Sequence, residues 1–479
     1  MQSKILKYAA LLKDKKISAV ELTAEYLKKI AEANARYNAF VSVDEERAMC
    51  FARLADKKIA DGTASALTGI PFGVKANIAE KGVETDCCSK ILKGYRPTYN
   101  ATVIEKLLAA GAVPMGKNNM DEFAMGSSTE TGIHGAAYNP VNTNYVTGGS
   151  SGGGAAAVAA DMAVYALGSD TGGSVRQPAA FCGVVGLKPS YGSVSRYGLI
   201  AYGSSLDQIG PLTSSVADAA IVYDAVRGKD PRDQTSSALS KPAFDKLDGN
   251  VKNLKIGFPK EYFEGINPEI VDALKQAFAQ YEKMGAEIVE LSVPWLKYAL
   301  PAYYIIACAE ASSNLGRYDG IRYGYRATDY DDVNEMIMKT RSQGFGKEVK
   351  RRIMLGTYVL SAGYFDAYYK KALRVREQVQ ESFRKAFESV DLMLTPVAPT
   401  TAFPLHYTSE NMIETYMSDF CTVPVNIAGL PAISMPVAFD GKGLPIGMQL
   451  IGAKFSEAVV LNAAYAYENF AGISAKEVK

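Results

Sequence analysis

The spacing of hydrophobic residues changes along the chain and predicts the order of its elements. In residues 1–65, apolar positions recur at helical spacing after Ser18, which begins an S-x-x-E capping box with Glu21. These positions are Val20, Ala24, Leu27 and Ile30. The first segment is therefore predicted to consist of amphipathic helices that pack on a larger body.

Residues 66–215 have a different pattern, in which short apolar runs alternate with helical stretches and many glycines. The runs are IPFGVKANI, AVPMGKNN, AVYALGSD and VVGLKPS. Apolar strands separated by helices are typical of an α/β protein whose sheet is buried on both faces. Loops at one edge of such a sheet are expected to hold the functional residues.

Residues 216–390 are richer in helix, and residues 391–479 return to strands. The middle segment has strand-like runs LKIGFPK and AEIVELSV around an amphipathic helix, then a tyrosine-rich stretch from Tyr303 to Tyr369. The helix carries Val271, Leu274, Phe278 and Tyr281. The last segment contains DLMLTPVAP, AISMPVAF and GLPIGMQLIG. Without a Pro/Ser-rich linker, we predict one large α/β domain over residues 1–479, with a central mixed, mostly parallel sheet covered by helices on both faces.

Composition and charge exclude several classes of protein. Hydrophobic residues make up 48% of the chain, and 52 Lys and Arg balance 51 Asp and Glu, so no net charge draws it to nucleic acid or a membrane. The six cysteines form no CxxC pattern, which predicts reduced thiols and no metal site. The polar N-terminus and the lack of an 18-residue apolar run favour a soluble, cytoplasmic protein.

Two glycine-rich segments are the strongest candidates for chemistry. Residues 148–154 place two serines among five glycines; this run is either a flexible turn or a main chain that approaches a ligand closely. In residues 170–183, a predicted strand leads into Gly172, Gly173 and Ser174. Consecutive N–H groups in such a turn can stabilise an oxyanion, as acyl transfer requires. Ser174 is therefore the candidate nucleophile.

A serine nucleophile needs a base, and histidine is scarce in this sequence. His134 and His406 are the only histidines, and neither has a context that suggests a Ser-His-Asp triad. Lys75 lies in the apolar run IPFGVKANI, where burial would lower its pKa toward neutrality. Lysine is more often a solvated surface group, so the prediction of a lysine base depends on that burial.

Two nucleotide-binding motifs match only in part. Residues 111–118 match G-x-x-x-x-G-K, but Asn118 stands where Ser or Thr would bind magnesium. The run Gly152-x-Gly154-x-x-Ala157 lacks the preceding strand of a dinucleotide fingerprint. Both interpretations are disfavoured.

Residues 69–212 resemble the amidase signature family. The resemblance lies in PFGVKAN, GGSSGG, DTGGSVRQPAAFCGVVGLKPSYG and SSLDQIGPL, with 75 residues between Lys75 and Ser150 and 24 between Ser150 and Ser174. It implies that Ser174 attacks, that Ser150 follows a cis peptide and relays protons, that Lys75 is the base, and that Ser151 is a structural neighbour. It also implies that the oxyanion is held by the main-chain N–H groups of Thr171, Gly172, Gly173 and Ser174.

Residues 309–326, 345–369 and 417–434 are similar to the family members that release ammonia from glutamine for tRNA-dependent amidation. This resemblance implies that Arg352 holds the α-carboxylate of glutamine and Asp419 its α-amino group, aided by Tyr303. On the sequence alone, Arg352 in KEVKRR would be a solvated helix face. Thr147 and the loop of residues 131–144 depart from the family pattern, so access to the site is expected to differ.

The same resemblance implies partners and leaves alternatives. Ammonia would pass to a tRNA-binding, kinase-like second subunit that uses ATP and magnesium, while a small third subunit wraps this chain, which itself needs no cofactor. The acceptor is glutamate on tRNA(Gln), aspartate on tRNA(Asn), or both. The alternatives are a stand-alone amidase on another small amide and a non-catalytic scaffold of an RNA-modifying complex.

Overall fold

The computed structural model describes residues 3–407 and 417–471. Residues 1–2, 408–416 and 472–479 of the predicted domain lie outside the described residues. The helices are α1 (Lys4–Lys13), α2 (Ala19–Tyr37), α3 (Glu45–Ala60), α4 (Thr102–Ala109), α5 (Gly152–Ala159), α6 (Arg176–Cys182), α7 (Val216–Val226), α8 (Pro268–Lys283), α9 (Ala299–Asn314), α10 (Val333–Gly344), α11 (Lys347–Leu360), α12 (Lys371–Ala386), α13 (Val423–Ala428) and α14 (Glu457–Ala471). Among these described helices, none has the length and apolar character needed to cross a membrane.

The strands are β1 (Phe40–Val43), β2 (Pro71–Lys75), β3 (Val113–Asn118), β4 (Tyr165–Asp170), β5 (Val185–Lys188), β6 (Gln208–Thr213), β7 (Lys255–Pro259), β8 (Glu287–Leu291), β9 (Leu392–Pro396), β10 (Ala432–Phe439) and β11 (Pro445–Gly452). Within the described residues, they form a single 11-stranded sheet in the order β1-β3-β2-β4-β6-β5-β10-β11-β9-β7-β8. The α/β class and the mixed sheet are confirmed, and every apolar run that predicted a strand contains one.

The prediction that the sheet is mostly parallel is wrong. Only the pairs of β2 with β3 and β4, and of β7 with β8 and β9, are parallel, while the other six neighbouring pairs are antiparallel. In the C-terminal part, residues 440–444 connect β10 directly to β11. So short a connection leaves no room for a crossover helix, and it joins antiparallel strands.

The N-terminal segment is helical as predicted, with one interruption. The capping box at the start of α2 is confirmed, because the Ser18 hydroxyl accepts from the Glu21 N–H at 3.0 Å and the Glu21 carboxylate accepts from the Ser18 N–H at 2.8 Å. The run FVSV at Phe40–Val43 breaks the helices and forms β1, which pairs with β3. Two valines in a four-residue run favour extended structure.

Strand β6 also has a weak strand signal in the sequence, yet it lies between β4 and β5. Its sequence, QIGPLT, contains Gly and Pro, which are rare inside strands. Gly210 is required here because a Cβ atom at this position would lie 1.9 Å from the Leu187 carbonyl oxygen. The close approach of two backbones therefore explains why a glycine, which weakens the strand signal of the sequence, stands within β6.

Parallel strands β2 and β4 bring two sequence segments to one edge of the sheet. Lys75 is the last residue of β2 and Asp170 is the last residue of β4, and Val74 pairs with Leu167. Helix α5 begins within the 148–154 run and packs against β4. The candidate chemical groups therefore meet at the carboxyl ends of adjacent strands, where α/β sheets place their sites.

The guanidinium of Arg176, at the start of α6, is fully buried and connects distant parts of the chain. It donates from Nε and Nη2 to the two carboxylate oxygens of Asp170, both at 3.0 Å. Its other hydrogen bonds reach the side chains of Asn426 and Gln449 at 2.5 Å and the carbonyl oxygen of Thr422 at 3.1 Å. This network joins the end of β4 to α13 and β11.

Replacement of Arg176 by methionine is expected to lower the free energy of unfolding by about 3–5 kcal/mol, because it leaves the Asp170 carboxylate buried without its partner. Urea unfolding measures the change. Arg384→Met is the matched control, since Arg384 is 59% exposed and pairs with Glu381 and Glu388 on the surface of α12. This control should cost less than about 1 kcal/mol. Equal losses in the two variants would contradict the role given to the Arg176 network.

Candidate active site

Lys75 lies inside the protein and its amine contacts three serines. Its side chain is 1% exposed. The Nζ atom is 2.7 Å from Ser150 Oγ, 2.8 Å from Ser151 Oγ and 3.0 Å from Ser169 Oγ, and it is 3.2 Å from the Ser169 carbonyl oxygen. The hydroxyl groups surround the amine and provide a route by which protons can reach it.

Burial lowers the pKa of Lys75 to about 7, because the desolvated ammonium is less stable than in water. The carboxylates of Asp121, Asp170 and Asp207 favour the charged amine and oppose this shift without cancelling it. A lysine with a pKa near neutrality exchanges a proton readily at physiological pH. The position of Lys75 therefore suits a general base.

The two glycine-rich segments are hydrogen-bonded to each other on either side of Ser150. The Ser151 N–H donates to the Ser174 carbonyl oxygen at 3.1 Å, and the Gly149 N–H donates to the side-chain oxygen of Gln177 at 3.0 Å. The Gly149–Ser150 peptide bond is cis, in agreement with the family resemblance. Ser150 is thus held between the buried lysine and the turn that carries Ser174.

The turn of residues 170–175 is built around the carboxylate of Asp170. This group accepts from the N–H groups of Gly173 at 2.9 Å and Val175 at 3.2 Å. Burial alone would raise the Asp170 pKa, but the Arg176 guanidinium outweighs burial and holds the pKa well below its usual value. Ser174 is 8% exposed, whereas Ser150 and Lys75 are at most 1% exposed, so Ser174 is the member of this group most open to a substrate.

One of the four expected oxyanion donors, the N–H group of Gly173, already donates a hydrogen bond inside the protein. Of the four N–H groups implied by the resemblance, that of Gly173 is already engaged with Asp170. The N–H groups of Thr171, Gly172 and Ser174 remain the expected donors. The Thr171 hydroxyl donates to Asp207 at 2.7 Å, and this hydrogen bond holds Thr171 in place.

Only glycine fits at positions 172 and 173. A Cβ atom on Gly172 would lie 2.6 Å from the Tyr303 hydroxyl, and one on Gly173 would lie 2.3 Å from Thr422 Oγ1. Gly173 also has a φ of +134°, which residues with a side chain rarely adopt. These close approaches place the hydroxyl of Tyr303 directly against the turn that carries Ser174.

A second cluster of polar groups adjoins the turn, and Arg352 is its centre. The guanidinium is buried, donates from Nη1 to the Tyr202 hydroxyl at 2.5 Å and from Nε to Glu348 at 2.8 Å, and lies over the rings of Tyr202 and Tyr304, 5.5 Å from each centroid. The Tyr304 hydroxyl donates to Asp419 at 2.8 Å. Burial raises the Asp419 pKa to about 6. A cation and an anion are therefore connected through one tyrosine.

The structure brings together all the residues that the sequence and the resemblance selected. Lys75 contacts Ser150 directly, Ser174 is connected through the backbone of Ser151, and Tyr303 reaches Gly172. Several residues of the site were missed, among them Ser169, Tyr202, Tyr304 and Thr422. The tyrosine-rich segment was a signal for Tyr304, but nothing in the sequence indicates which of its tyrosines faces the site.

The two histidines have carboxylate partners. His134 Nε2 lies 2.6 Å from Asp86, and His406 Nδ1 lies 3.3 Å from Glu130. Both imidazoles therefore lie beside carboxylates that are outside the group of Lys75, Ser150 and Ser174.

Comparisons with known proteins show the family of this chain. A family model described as amidase matches residues 21–461. The chain is 53% identical over 468 residues to a glutamyl-tRNA(Gln) amidotransferase subunit of Thermoanaerobacter pseudethanolicus, covering 97% of this chain and 96% of the relative.

Solved structures extend the comparison. The crystal structure of the same-named subunit of Thermotoga maritima aligns with a TM-score of 0.79 and 40% identity, covering 94% of this chain and 91% of the other. The peptide amidase of Stenotrophomonas maltophilia aligns with a TM-score of 0.84 and 28% identity, covering 99% and 98%. The matched family model includes every residue of the site described above, and the chain belongs to the amidase family.

Proposed function

We propose that this chain is the glutamine-hydrolysing subunit of a tRNA-dependent amidotransferase, with Ser174 as nucleophile. The observation that carries the proposal is the buried amine of Lys75, which lies 2.7 Å from Ser150 Oγ. The residue after Ser150, Ser151, donates its N–H to the carbonyl oxygen of Ser174. The similarity to amidotransferase subunits over almost the whole chain supports glutamine as the amide.

The first half of the reaction forms an ester and releases ammonia. Neutral Lys75 takes the proton of the Ser150 hydroxyl while Ser150 takes that of Ser174, and Ser174 Oγ bonds to the amide carbon of glutamine. The negative charge on the amide oxygen falls on main-chain N–H groups of the turn. The proton returns through Ser150 to the nitrogen, the carbon–nitrogen bond breaks, and ammonia leaves a γ-glutamyl ester on Ser174.

In the second half, water replaces the leaving nitrogen. Lys75, again neutral, accepts the water proton through Ser150, and the hydroxide adds to the ester carbon. Collapse of this intermediate returns the proton to Ser174 and frees glutamate. The triad is then in its starting protonation state, so no other acid or base is required.

The cluster around Arg352 provides the contacts that a free amino acid needs. A guanidinium can donate two parallel hydrogen bonds to the α-carboxylate, and the Asp419 carboxylate suits the α-ammonium group. Glu348 and Tyr202 hold the guanidinium in place. Tyr303, between this cluster and Gly172, would direct the side-chain amide toward Ser174.

Ammonia would then be used by partner proteins. In this proposal a second subunit binds tRNA and activates glutamate on tRNA(Gln), or aspartate on tRNA(Asn), with ATP and magnesium, while a small third subunit wraps this chain in a cytoplasmic heterotrimer. The near balance of 52 basic and 51 acidic residues fits a chain that does not itself hold tRNA. Co-purification of a tagged chain from its native cell tests this assembly, and recovery of the chain alone would contradict it.

Replacement of Ser174 by alanine is expected to lower kcat for glutamine hydrolysis about 10⁴-fold or more, because no covalent ester can form. Ammonia release measures the rate. Ser214→Ala is the matched control, since Ser214 is also buried and its hydroxyl has no partner among the described residues. The control should hydrolyse glutamine at nearly the wild-type rate. Wild-type activity in Ser174→Ala would overturn the assignment of the nucleophile.

The pH profile is expected to follow the protonation of Lys75. Because the lysine acts as a neutral base, kcat/KM should fall about tenfold per unit as the pH drops below about 7 and should level off above it. Protonation of Asp419, with a pKa of about 6, adds a second loss for glutamine at lower pH. For butyramide, which has no α-amino group, kcat/KM should fall with the protonation of Lys75 alone. Activity with butyramide that stays constant from about pH 8 to pH 6 would exclude Lys75 as the base.

Replacement of Arg352 by glutamine is expected to lower kcat/KM for glutamine about 100-fold, since a buried charged hydrogen bond to the α-carboxylate is lost. Hydrolysis of butyramide, which lacks that carboxylate, should change little. Arg351→Gln is the matched control, because Arg351 pairs with the same Glu348 but is 31% exposed. Equal losses with both substrates would favour a stand-alone amidase that does not recognise an amino acid.

A further inference from the structure

Three side chains of the kinds that bind metal ions, a carboxylate, a thiol and an imidazole, lie together beside the active-site region. They have no part in the proposed reaction. One ligand atom each of Asp86, Cys88 and His134 lies within 4.8 Å of the other two. Asp86 and Cys88 are buried, while the His134 side chain is 33% exposed. Among residues 3–407 and 417–471, this is the one such group of histidine, cysteine and carboxylate side chains.

We propose that Asp86, Cys88 and His134 form a binding site for a divalent transition-metal ion of the zinc type. A thiolate, an imidazole and a carboxylate together are the ligand set that Zn²⁺ prefers, whereas Mg²⁺ and Ca²⁺ prefer oxygen ligands alone. Three protein ligands are enough when solvent supplies the fourth. The partly exposed imidazole gives the ion a path of entry.

Local hydrogen bonds already orient the ligands toward one another. The Asp86 Oδ1 atom accepts from the Cys88 N–H at 2.8 Å, and Oδ2 lies 2.6 Å from His134 Nε2. The Cys88 thiol makes a weak contact, 3.6 Å from Asn119 Oδ1. Around a tetrahedral Zn²⁺ with bonds of about 2.0–2.3 Å, ligand atoms lie roughly 3.3–3.8 Å apart. Rotation of the His134 side chain away from Asp86, with the thiol turned inward, would produce that spacing.

The position of the site indicates what the ion would do. The Cys87 N–H donates to the Ala76 carbonyl oxygen at 3.1 Å, directly after Lys75, and the Cys88 carbonyl oxygen accepts from the Ile133 N–H at 2.9 Å. A bound ion would therefore fasten the loop of residues 131–135 to the segment that follows β2. This is a structural clamp beside the catalytic lysine, and the ion takes no part in amide cleavage.

Cobalt binding tests the site, because a thiolate bound to Co²⁺ gives a charge-transfer band in the near ultraviolet. The full chain, freed of metal with a chelator, is titrated with Co²⁺ and then with Zn²⁺. We expect one Co²⁺ per chain with a charge-transfer band, displacement by Zn²⁺, and a higher Tm in the presence of either ion. The variants expected to lose the band, or to bind Co²⁺ more than about 100-fold more weakly, are Cys88→Ala, Asp86→Asn and His134→Gln. A loss of this size exceeds the effect of removing a residue that only orients a metal ligand.

Matched controls are present in the same chain. Cys87→Ala removes the adjacent buried thiol, and His406→Gln removes the other histidine; both should keep the band and the metal-dependent rise in Tm. His134→Gln decides the case if Cys88→Ala fails to fold, because the partly exposed imidazole can be replaced without opening the core. Lack of the band in the wild-type chain, or a band in His134→Gln that forms with wild-type affinity, would overturn the proposal. The titration uses no glutamine, so its outcome is separate from that of the proposed function.

Discussion

The ion pair between Asp170 and Arg176 is the interaction on which the site depends most. Both groups are completely buried, so neither could keep its charge without the other. The Asp170 carboxylate also accepts hydrogen bonds from the N–H groups of Gly173 and Val175, the residues before and after Ser174. The Asn426 side chain donates a further hydrogen bond to it at 2.8 Å. The ion pair therefore holds the turn that carries Ser174, the proposed nucleophile, and connects this turn to α13 and β11.

A comparison of two buried lysines explains why one of them can be a catalytic base. Burial lowers the pKa of both Lys75 and Lys188 to about 7. Lys188 donates to the carbonyl oxygens of Pro189 and Leu430, which have no proton to give. Lys75 instead contacts serine hydroxyls, which both donate and accept. Desolvation supplies a neutral amine, and the neighbouring hydroxyls determine whether that amine can act.

The sequence predicts the parts of this structure that depend on local pattern. Apolar runs identify the strands around the site, and scarce histidine together with an apolar context identifies Lys75. The direction of strand pairing is not local, which is why a mostly parallel sheet was expected. Arg352 has the appearance of a surface residue because its burial depends on Tyr202, 150 residues away in the chain. The group of Asp86, Cys88 and His134 is likewise assembled from two loops, and no spacing rule reveals it.

The tyrosine that links Arg352 to Asp419 has a consequence for selectivity under the proposed function. Because Tyr304 holds the cation and the anion in a fixed relation, the two charges of any α-amino acid would be placed at the same point. The distance from that point to Ser174 then determines how long a side chain must be for its amide to reach Ser174. An amide one methylene shorter, as in asparagine, would stop short of the nucleophile, so discrimination between the two amino acids requires no contact with the amide itself.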